Sequence, residues 1–305
     1  MRDGYLATAK ALVAAAPHIF WDDTFALKGG TAINLFIRDM PRLSVDLDLA
    51  FVDPAPLRDA AIEKMKVTLQ AARERLTASG FDVQAPTSDA AETKLLLRRG
   101  DVNVKVDVNH VFRGTVLPVA KRGLTQAASD ELLAELEIPV VSLEDVYGGK
   151  LVAALARQHP RDLFDVLQLF DHEGITPGIR RAFVVYLAGH NRPIHEVLFP
   201  NLRDIEQEYM ETFVGMTVEA VELAPLLDAR TKLLHDLHTG LDAAEREFLI
   251  SLARNEPKWE LLGMDHIQGL PALRWKVQNL TELQKTDPQR LLRHADELQA
   301  KLHVA

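Results

Sequence analysis

The stretch Lys28–Val52, KGGTAINLFIRDMPRLSVDLDLAFV, decides the fold of this chain. Two glycines break a short predicted strand over 24–28, and helical spacing follows over 31–38 until a proline ends it. From Ser44 to Val52 polar and apolar residues then alternate, which predicts a half-buried strand. The order strand, glycine turn, helix, strand indicates a mixed α/β domain.

Asp46 and Asp48 lie on the polar face of the second of these strands. Two residues along a strand span about 7 Å, and their side chains leave the same face. Placing two carboxylates together is unfavourable unless a cation offsets their charge, and oxygen ligands at this spacing suit Mg²⁺ or Mn²⁺. Solvent-facing acids on an edge strand explain an isolated Asp-x-Asp pair equally well.

A third carboxylate, Asp107, favours the metal interpretation. The segment Val102–His110 alternates strictly, with valines on one face and Asp107 and Lys105 on the other. If this strand neighbours the Asp46 strand, three carboxylates converge at one place. Lys105 would then offset their charge or contact a phosphate.

The turn Gly29-Gly30-Thr31 precedes the Asp-x-Asp strand and opens a helix. Small residues let backbone N–H groups approach a phosphate closely, and a helix N-terminus favours anions. Neither GxxxxGK[ST] nor GxGxxG occurs in the chain. Considered alone, the glycine pair is more typical of a tight turn than of a phosphate cradle.

Composition excludes several classes of protein. The chain has 305 residues, no cysteine and a net charge of −9, so disulfides, thiolate metal sites and a cysteine nucleophile are excluded. We see no signal peptide and no apolar stretch of bilayer length, and therefore expect a cytoplasmic protein without a membrane partner. Residues 1–123 carry a net +2 and residues 124–305 a net −11, so the acidic total does not exclude RNA.

The second half of the chain has helical spacing. We predict an α+β fold, with an α/β domain over 1–125 and a helical domain over 126–305 whose segment 142–170 contributes site residues. A linker is expected at 171–178, which contains Gly174, Pro177 and Gly178. The predicted helices are 142–158, 161–170, 178–188, 202–213, 219–238, 242–254 and 271–300.

Three segments resemble one family of enzymes. The opening stretch resembles the signature of AbiEii-like nucleotidyltransferase toxins, which belong to the polymerase-β-like superfamily and are related to the MenT toxins. The family's Arg-x-Ser-x-Asp-x-Asp pattern is matched at Arg42, Ser44, Asp46 and Asp48. The segments SLEDVYGGKLVAALARQHPRDLFDVLQL at 142–169 and LPALRWKVQNL at 270–280 resemble later parts of the family.

The resemblance implies a polymerase-β-like domain in which Asp46, Asp48 and Asp107 bind two Mg²⁺ or Mn²⁺ ions for in-line attack on an NTP. Asp107 would also assist the attacking hydroxyl as a base. Lys150 would contact the triphosphate, and Asp165 would orient Lys150 or the substrate. The residues expected to bind the nucleotide are Gly29, Gly30, Thr31, Ser44, Lys150 and Arg157.

The resemblance also implies a toxin that modifies RNA, with the tRNA 3′ end as the expected acceptor, and a neighbouring antitoxin with a winged-helix part. Two alternatives remain open from the residues alone. The carboxylates could hydrolyse a phosphodiester, or the acidic helical half could bind a basic partner without catalysis. Near the end of the chain, helical spacing predicts Trp275 in a core and Lys276 in solvent.

Overall fold

The computed structural model describes residues 2–84 and 93–304, which form two compact units. The first unit comprises Met1–Ser142 and Gly215–Ala220, and the second comprises Leu143–Val214 and Val221–Ala305. The first unit therefore ends later than the boundary expected at residue 125. No helix among the described residues has both the length and the apolar character needed to cross a bilayer.

The first unit is built on a mixed sheet of seven strands in the order β3-β4-β5-β2-β1-β7-β6. Two neighbouring pairs, β2 with β5 and β1 with β7, are parallel, and the other pairs are antiparallel. The strands are β1 (Phe25–Lys28), β2 (Asp46–Phe51), β3 (Asp82–Gln84), β4 (Lys94–Arg99), β5 (Val102–Asn109), β6 (Ala120–Gly123) and β7 (Glu137–Val140).

The alternating strands predicted from the sequence are confirmed. In β2 the side chains of Leu47 and Leu49 are fully buried, and in β5 Val104, Val106 and Val108 are almost so. Their polar neighbours face the other side of the sheet. One face of these two strands is thus fixed in the core, which makes the opposite face a rigid platform.

The strands β6 and β7 were not predicted. Ala120–Gly123 is exposed over most of its length and carries two adjacent basic residues, so it lacks a period of two. Glu137–Val140 contains Pro139, which argues against a strand on sequence grounds. β7 depends on pairing with β1, more than 100 residues earlier in the chain, and β6 depends on β7.

The helices of the first unit are α1 (Arg2–Ile19), α2 (Gly29–Thr31), α3 (Arg58–Ala78) and α4 (Gln126–Leu132). The short α2 continues directly into a π-helix over Ala32–Ile37, where a single α-helix was expected over 31–38. The Arg38 N–H accordingly donates to the Ile33 carbonyl, five residues back. Such π-turns are rare and are often found at functional sites.

A later part of the chain completes the first unit. The Leu43 N–H donates to the Met216 carbonyl at 3.0 Å, and the Val218 N–H donates to the Pro41 carbonyl at 3.2 Å. Arg42 and Thr217 form the bridge between these bonds. Nothing in the residue pattern indicated this pairing, because a two-bond ladder leaves no periodicity.

The second unit is helical, as expected, and with the mixed sheet of the first unit it confirms the predicted α+β class. Two 3₁₀ turns, Trp259–Leu262 and Asp265–Gly269, precede its last two helices. The helices are α5 (Leu143–Arg157), α6 (Pro160–Phe170), α7 (Pro177–Ala188), α8 (Ile194–Leu198), α9 (Glu206–Thr212), α10 (Leu223–Gly240), α11 (Ala243–Ala253), α12 (Pro271–Thr286) and α13 (Pro288–Val304).

Three expectations about the second unit are wrong. The stretch 171–178 lies inside this unit and does not link domains, because it consists of the turn after α6 and the first two residues of α7. Pro288 splits the helix expected over 271–300, since proline cannot supply the N–H that a helix interior needs. Trp275 is 53% exposed, whereas Lys276 is buried and donates to the carbonyls of His190 and Arg192, so the predicted inside and outside are reversed.

Candidate active site

The glycine turn brings the backbone against the Asp48 side chain. Gly29 has a φ of +75°, a conformation that favours glycine, and a Cβ at this position would overlap Asp48 Oδ2. A Cβ on Gly30 would lie 2.8 Å from Arg42 Nη2 and 3.0 Å from Ser44 Oγ. Glycine is therefore required at position 29, whereas a Cβ at position 30 would have to displace the ends of the Arg42 and Ser44 side chains. The tight turn that the glycine pair predicted is present, and its use as a phosphate cradle stays a prediction.

Thr31 is fully buried beneath this turn. Its hydroxyl oxygen lies 2.5 Å from the Asp46 carbonyl oxygen and 2.9 Å from Ser44 Oγ. These bonds join the start of α2 to the start of β2. The Thr31 side chain consequently positions the turn against the strand that carries the first two carboxylates, and half-buried Ser44 lies beside it.

Two residues that sequence reasoning left without a role hold the same turn. Buried Asn34 donates from Nδ2 to the Gly30 carbonyl at 2.8 Å, and its Oδ1 accepts from the Arg42 N–H at 3.2 Å. Arg42 is also buried and donates from Nη1 to the Leu43 carbonyl. A polar Asn in the otherwise apolar run AINLFI is the signal that could have identified this connection.

The three candidate metal ligands lie on one face of two neighbouring parallel strands. Asp48 of β2 is directly opposite Asp107 of β5, and Asp46 is opposite Lys105. Side chains in register on adjacent strands share a face and are about 5 Å apart at the backbone. The condition on which the sequence prediction depended, that the two strands are neighbours, is thus met.

Lysines stand at both ends of the row formed by Asp48 and Asp107. On the β1 side Lys28 is in register with Asp48, and on the β4 side Lys94 is in register with Asp107. Lys94 Nζ lies 2.9 Å from Asp107 Oδ2, and both side chains are about half exposed. This hydrogen bond and the charge of the carboxylate raise the pKa of Lys94. Neither lysine was singled out from the sequence.

The donor set fits a divalent cation in kind and in register. Three carboxylates on one sheet face provide the hard oxygen ligands that Mg²⁺ and Mn²⁺ prefer. Because residue 29 is a glycine, no side chain at that position overlaps the Asp48 carboxylate. As the side chains stand, within residues 2–84 and 93–304 no three His, Asp or Glu groups are gathered closely enough to hold a metal ion. Asp107 is turned to Lys94 instead.

The other predicted site residues form a buried cluster in the second unit. Lys150 on α5 places Nζ 2.8 Å from Asp162 Oδ1 and 2.9 Å from Asp165 Oδ2, both on α6. Arg157, at the end of α5, donates from Nη2 to Asp162 Oδ1 at 3.1 Å, and the same nitrogen lies 2.8 Å from Asp162 Oδ2 in an ion pair. The side chains of the two aspartates and of Lys150 are at most 8% exposed, whereas that of Arg157 is 64% exposed.

Asp162 is the member of this cluster that sequence reasoning missed. Burial alone would raise its pKa, but the charges of Lys150 and Arg157 more than offset that effect and hold the pKa at about 2. Asp162 is therefore ionised under all ordinary conditions and connects the two cations.

A close helix contact supports the cluster. A Cβ on Gly148 of α5 would lie 2.8 Å from the Ala182 backbone of α7, so glycine is required for this approach. The hydroxyl of the neighbouring Tyr186 donates to Asp145 Oδ1 at 2.9 Å, and burial together with that carboxylate raises the pKa of Tyr186 well above its usual value. The helix that carries Lys150 is thus held rigidly within the unit.

Comparison with known proteins gives a family and a fold. The family described as nucleotidyl transferase AbiEii toxin, type IV TA system, matches residues 10–279. Among solved structures the chain resembles MenT4, a nucleotidyltransferase toxin from Mycobacterium tuberculosis H37Rv, with a TM-score of 0.60 and 20% identity over 90% of this chain and 92% of that one. At this identity the likeness supports the fold alone. No curated protein matches the sequence.

Proposed function

Because the chain belongs to the family of AbiEii nucleotidyltransferase toxins of type IV toxin–antitoxin systems, we propose that it transfers a nucleotide from an NTP to the 3′ end of a tRNA. The acceptor hydroxyl attacks the α-phosphorus, the bond between that phosphorus and the bridging oxygen of the β-phosphate breaks, and pyrophosphate leaves. A tRNA with a blocked 3′ end accepts no amino acid, so translation and growth stop. The observation that carries the proposal is the register of Asp48 beside Asp107, under the Gly29 turn.

The carboxylates have separate roles in this proposal. Asp46, Asp48 and Asp107 would hold Mg²⁺ or Mn²⁺, which would supply positive charge to the attacking and leaving oxygens. Asp107, at the β5 side of the row, accepts the proton of the acceptor hydroxyl. The rigid apolar face beneath β2 and β5 keeps these groups in place through the reaction.

The glycine turn binds the triphosphate in the same proposal. The backbone N–H groups of Gly29 and Gly30 approach the phosphates where side chains would not fit. The Ser44 hydroxyl, which is half-buried, adds a donor beside them. Thr31 acts on the nucleotide indirectly, because its buried hydroxyl is occupied by Ser44 and the Asp46 carbonyl.

The role of Lys150 as a triphosphate ligand stays a prediction. Its ammonium group already bonds Asp162 and Asp165. We therefore assign contact with an anionic ligand at this cluster to the exposed guanidinium of Arg157, while Lys150 and Asp165 keep Asp162 and the ends of the two helices in position.

The family membership makes the protein a toxin of a type IV toxin–antitoxin system. We propose that a cognate antitoxin neutralises it and that it acts in the cytoplasm, where NTPs and tRNA are present together. Induction in growing cells should stop growth, and coexpression of the adjacent reading frame should restore it.

Incubation with labelled NTPs, Mg²⁺ and total tRNA tests the reaction. We expect label in tRNA from the wild type, and no label from Asp46→Asn. Asp53→Asn is the matched control, because Asp53 follows the same strand but faces Lys64 on the surface. Equal labelling by the wild type and Asp46→Asn overturns the proposal, and shortened RNA in place of labelled RNA identifies a nuclease instead.

A further inference from the structure

We propose that Lys94 is the resident counter-ion of Asp107 and that a divalent cation must displace it to bind there. This inference deepens the proposed function and rests on its metal-dependent part. It gives a role to a lysine that lies in the same row of the sheet as the candidate ligands. Lys94 is thus a positioning residue, which acts through Asp107.

The charges follow a fixed order across the sheet, with a lysine at each end of the row. One row of residues in register crosses four strands and contains Lys28 on β1, Asp48 on β2, Asp107 on β5 and Lys94 on β4. Two carboxylates on neighbouring strands repel one another when nothing lies between them, and like charges directly opposite destabilise a sheet. A lysine at each end of the row offsets this repulsion, so the sheet can fold before any metal is present.

The Lys94 ammonium group and a metal ion need the same carboxylate, that of Asp107. Lys94 Nζ lies 2.9 Å from Asp107 Oδ2, which is the geometry of a charge-assisted hydrogen bond. With Asp107 turned toward β4, the carboxylates of the row are not gathered into a metal-binding group in the part of the chain described. Binding of a divalent ion between Asp48 and Asp107 therefore requires the Asp107 carboxylate to leave Lys94.

Exchange of Lys94 for a metal ion costs little free energy. Both side chains of the pair are about half exposed, and exposed ion pairs of this kind contribute no more than about 1 kcal/mol. A divalent cation offers Asp107 twice the charge and is shared with Asp48 and Asp46. Lys94 thus holds Asp107 until a metal ion arrives, without preventing that ion from binding.

Mn²⁺ binding, followed by the electron paramagnetic resonance signal of the free ion and measured without nucleotide, tests the inference. We expect Lys94→Met to tighten Mn²⁺ binding by about two- to fivefold, the equivalent of an exposed ion pair. Lys121→Met is the control, because it removes the same charge from exposed β6, five strands away in the sheet, and should leave the affinity unchanged. Thermal melts of each variant verify that it is folded.

A double-mutant cycle separates competition from simple charge repulsion. Repulsion between Lys94 and the metal ion persists when Asp107 is Asn, whereas competition for the Asp107 carboxylate does not. We therefore expect Lys94→Met to have little effect on Mn²⁺ affinity in the Asp107→Asn background. An equal effect in both backgrounds, or no effect in either, overturns the inference while metal-dependent nucleotide transfer still stands. If the wild type transfers nucleotide but binds no Mn²⁺, both the inference and the metal-dependent part of the proposed function fail.

Discussion

The two units each contain a cluster of lysine and aspartate, and the clusters differ in how their charges are held. In the first unit Lys94 and Asp107 pair across adjacent strands in partial contact with water. In the second, Lys150, Asp162 and Asp165 are buried between two helices. The exposed charges are placed by the backbone and are able to change partners. The buried charges hold one another in position, because removal of one partner leaves an uncompensated buried charge, which is strongly destabilising.

The largest expected effect is a difference in the free energy of unfolding when the same substitution is made in the two clusters. Lys150→Met leaves two buried carboxylates without their common cation and should lower the free energy of unfolding by about 3–5 kcal/mol. Lys94→Met removes one partner of a half-exposed pair and should change it by less than about 1 kcal/mol. Urea unfolding followed by circular dichroism measures both. Similar losses in the two variants would contradict the distinction between fixed and exchangeable charges.

The second prediction concerns the backbone that places the exposed carboxylates. Gly29→Ala puts a Cβ onto Asp48 and should reduce nucleotide transfer by about a hundredfold, the usual cost of a misplaced reacting group. Gly80→Ala is the control, because Gly80 has a similar φ of +85° but no atom within 4 Å of the place its Cβ would take. It should cost about 1 kcal/mol of stability and leave transfer intact. Equal activity in the two variants would show that the turn has no part in the site.

Features that depend on the burial of one strand face were predictable from the sequence, whereas features that depend on pairing or packing with distant residues were not. Alternation along β2 and β5 predicted the platform and its three carboxylates, because burial of one sheet face leaves a period of two. The residue pattern did not reveal that Lys94 faces Asp107, since strand register depends on turns and pairing far from both residues. It also misplaced Trp275 and Lys276, because the side of a helix that is covered depends on which neighbours pack against it.

The third prediction is a pH dependence that belongs to the buried cluster. The pKa of Asp162 is about 2 in the folded protein, against a usual value of 3.8. A depressed pKa contributes stability that is present above the usual value and lost as pH falls towards the folded value. We therefore expect Asp162 to account for a loss of about 2 kcal/mol between pH 4 and pH 2.

Acid unfolding of matched variants checks this slope. The free energy of unfolding of Asp162→Asn should fall less steeply with decreasing pH than that of the wild type, although the variant is less stable at pH 7. Asp53→Asn, which removes an exposed carboxylate, should keep the wild-type slope. A slope unchanged by Asp162→Asn would mean that this carboxyl is not held ionised by Lys150 and Arg157.

The smallest expected effect lies at Arg157, where the buried cluster reaches solvent. Its side chain is 64% exposed, so Arg157→Gln should cost less than about 1 kcal/mol of stability, although it removes a bond to Asp162. If the anionic ligand assigned to this guanidinium is the triphosphate, the same change should weaken NTP binding by about three- to tenfold. Isothermal titration with a non-hydrolysable NTP analogue measures this, and Arg161→Gln, four residues on, controls for the lost charge. Weakened binding in Arg157→Gln alone would show that the cluster combines a fixed interior with one exchangeable contact. Unchanged NTP binding would mean that the buried cluster only supports the fold, whereas the exposed row on the sheet is the one that exchanges partners.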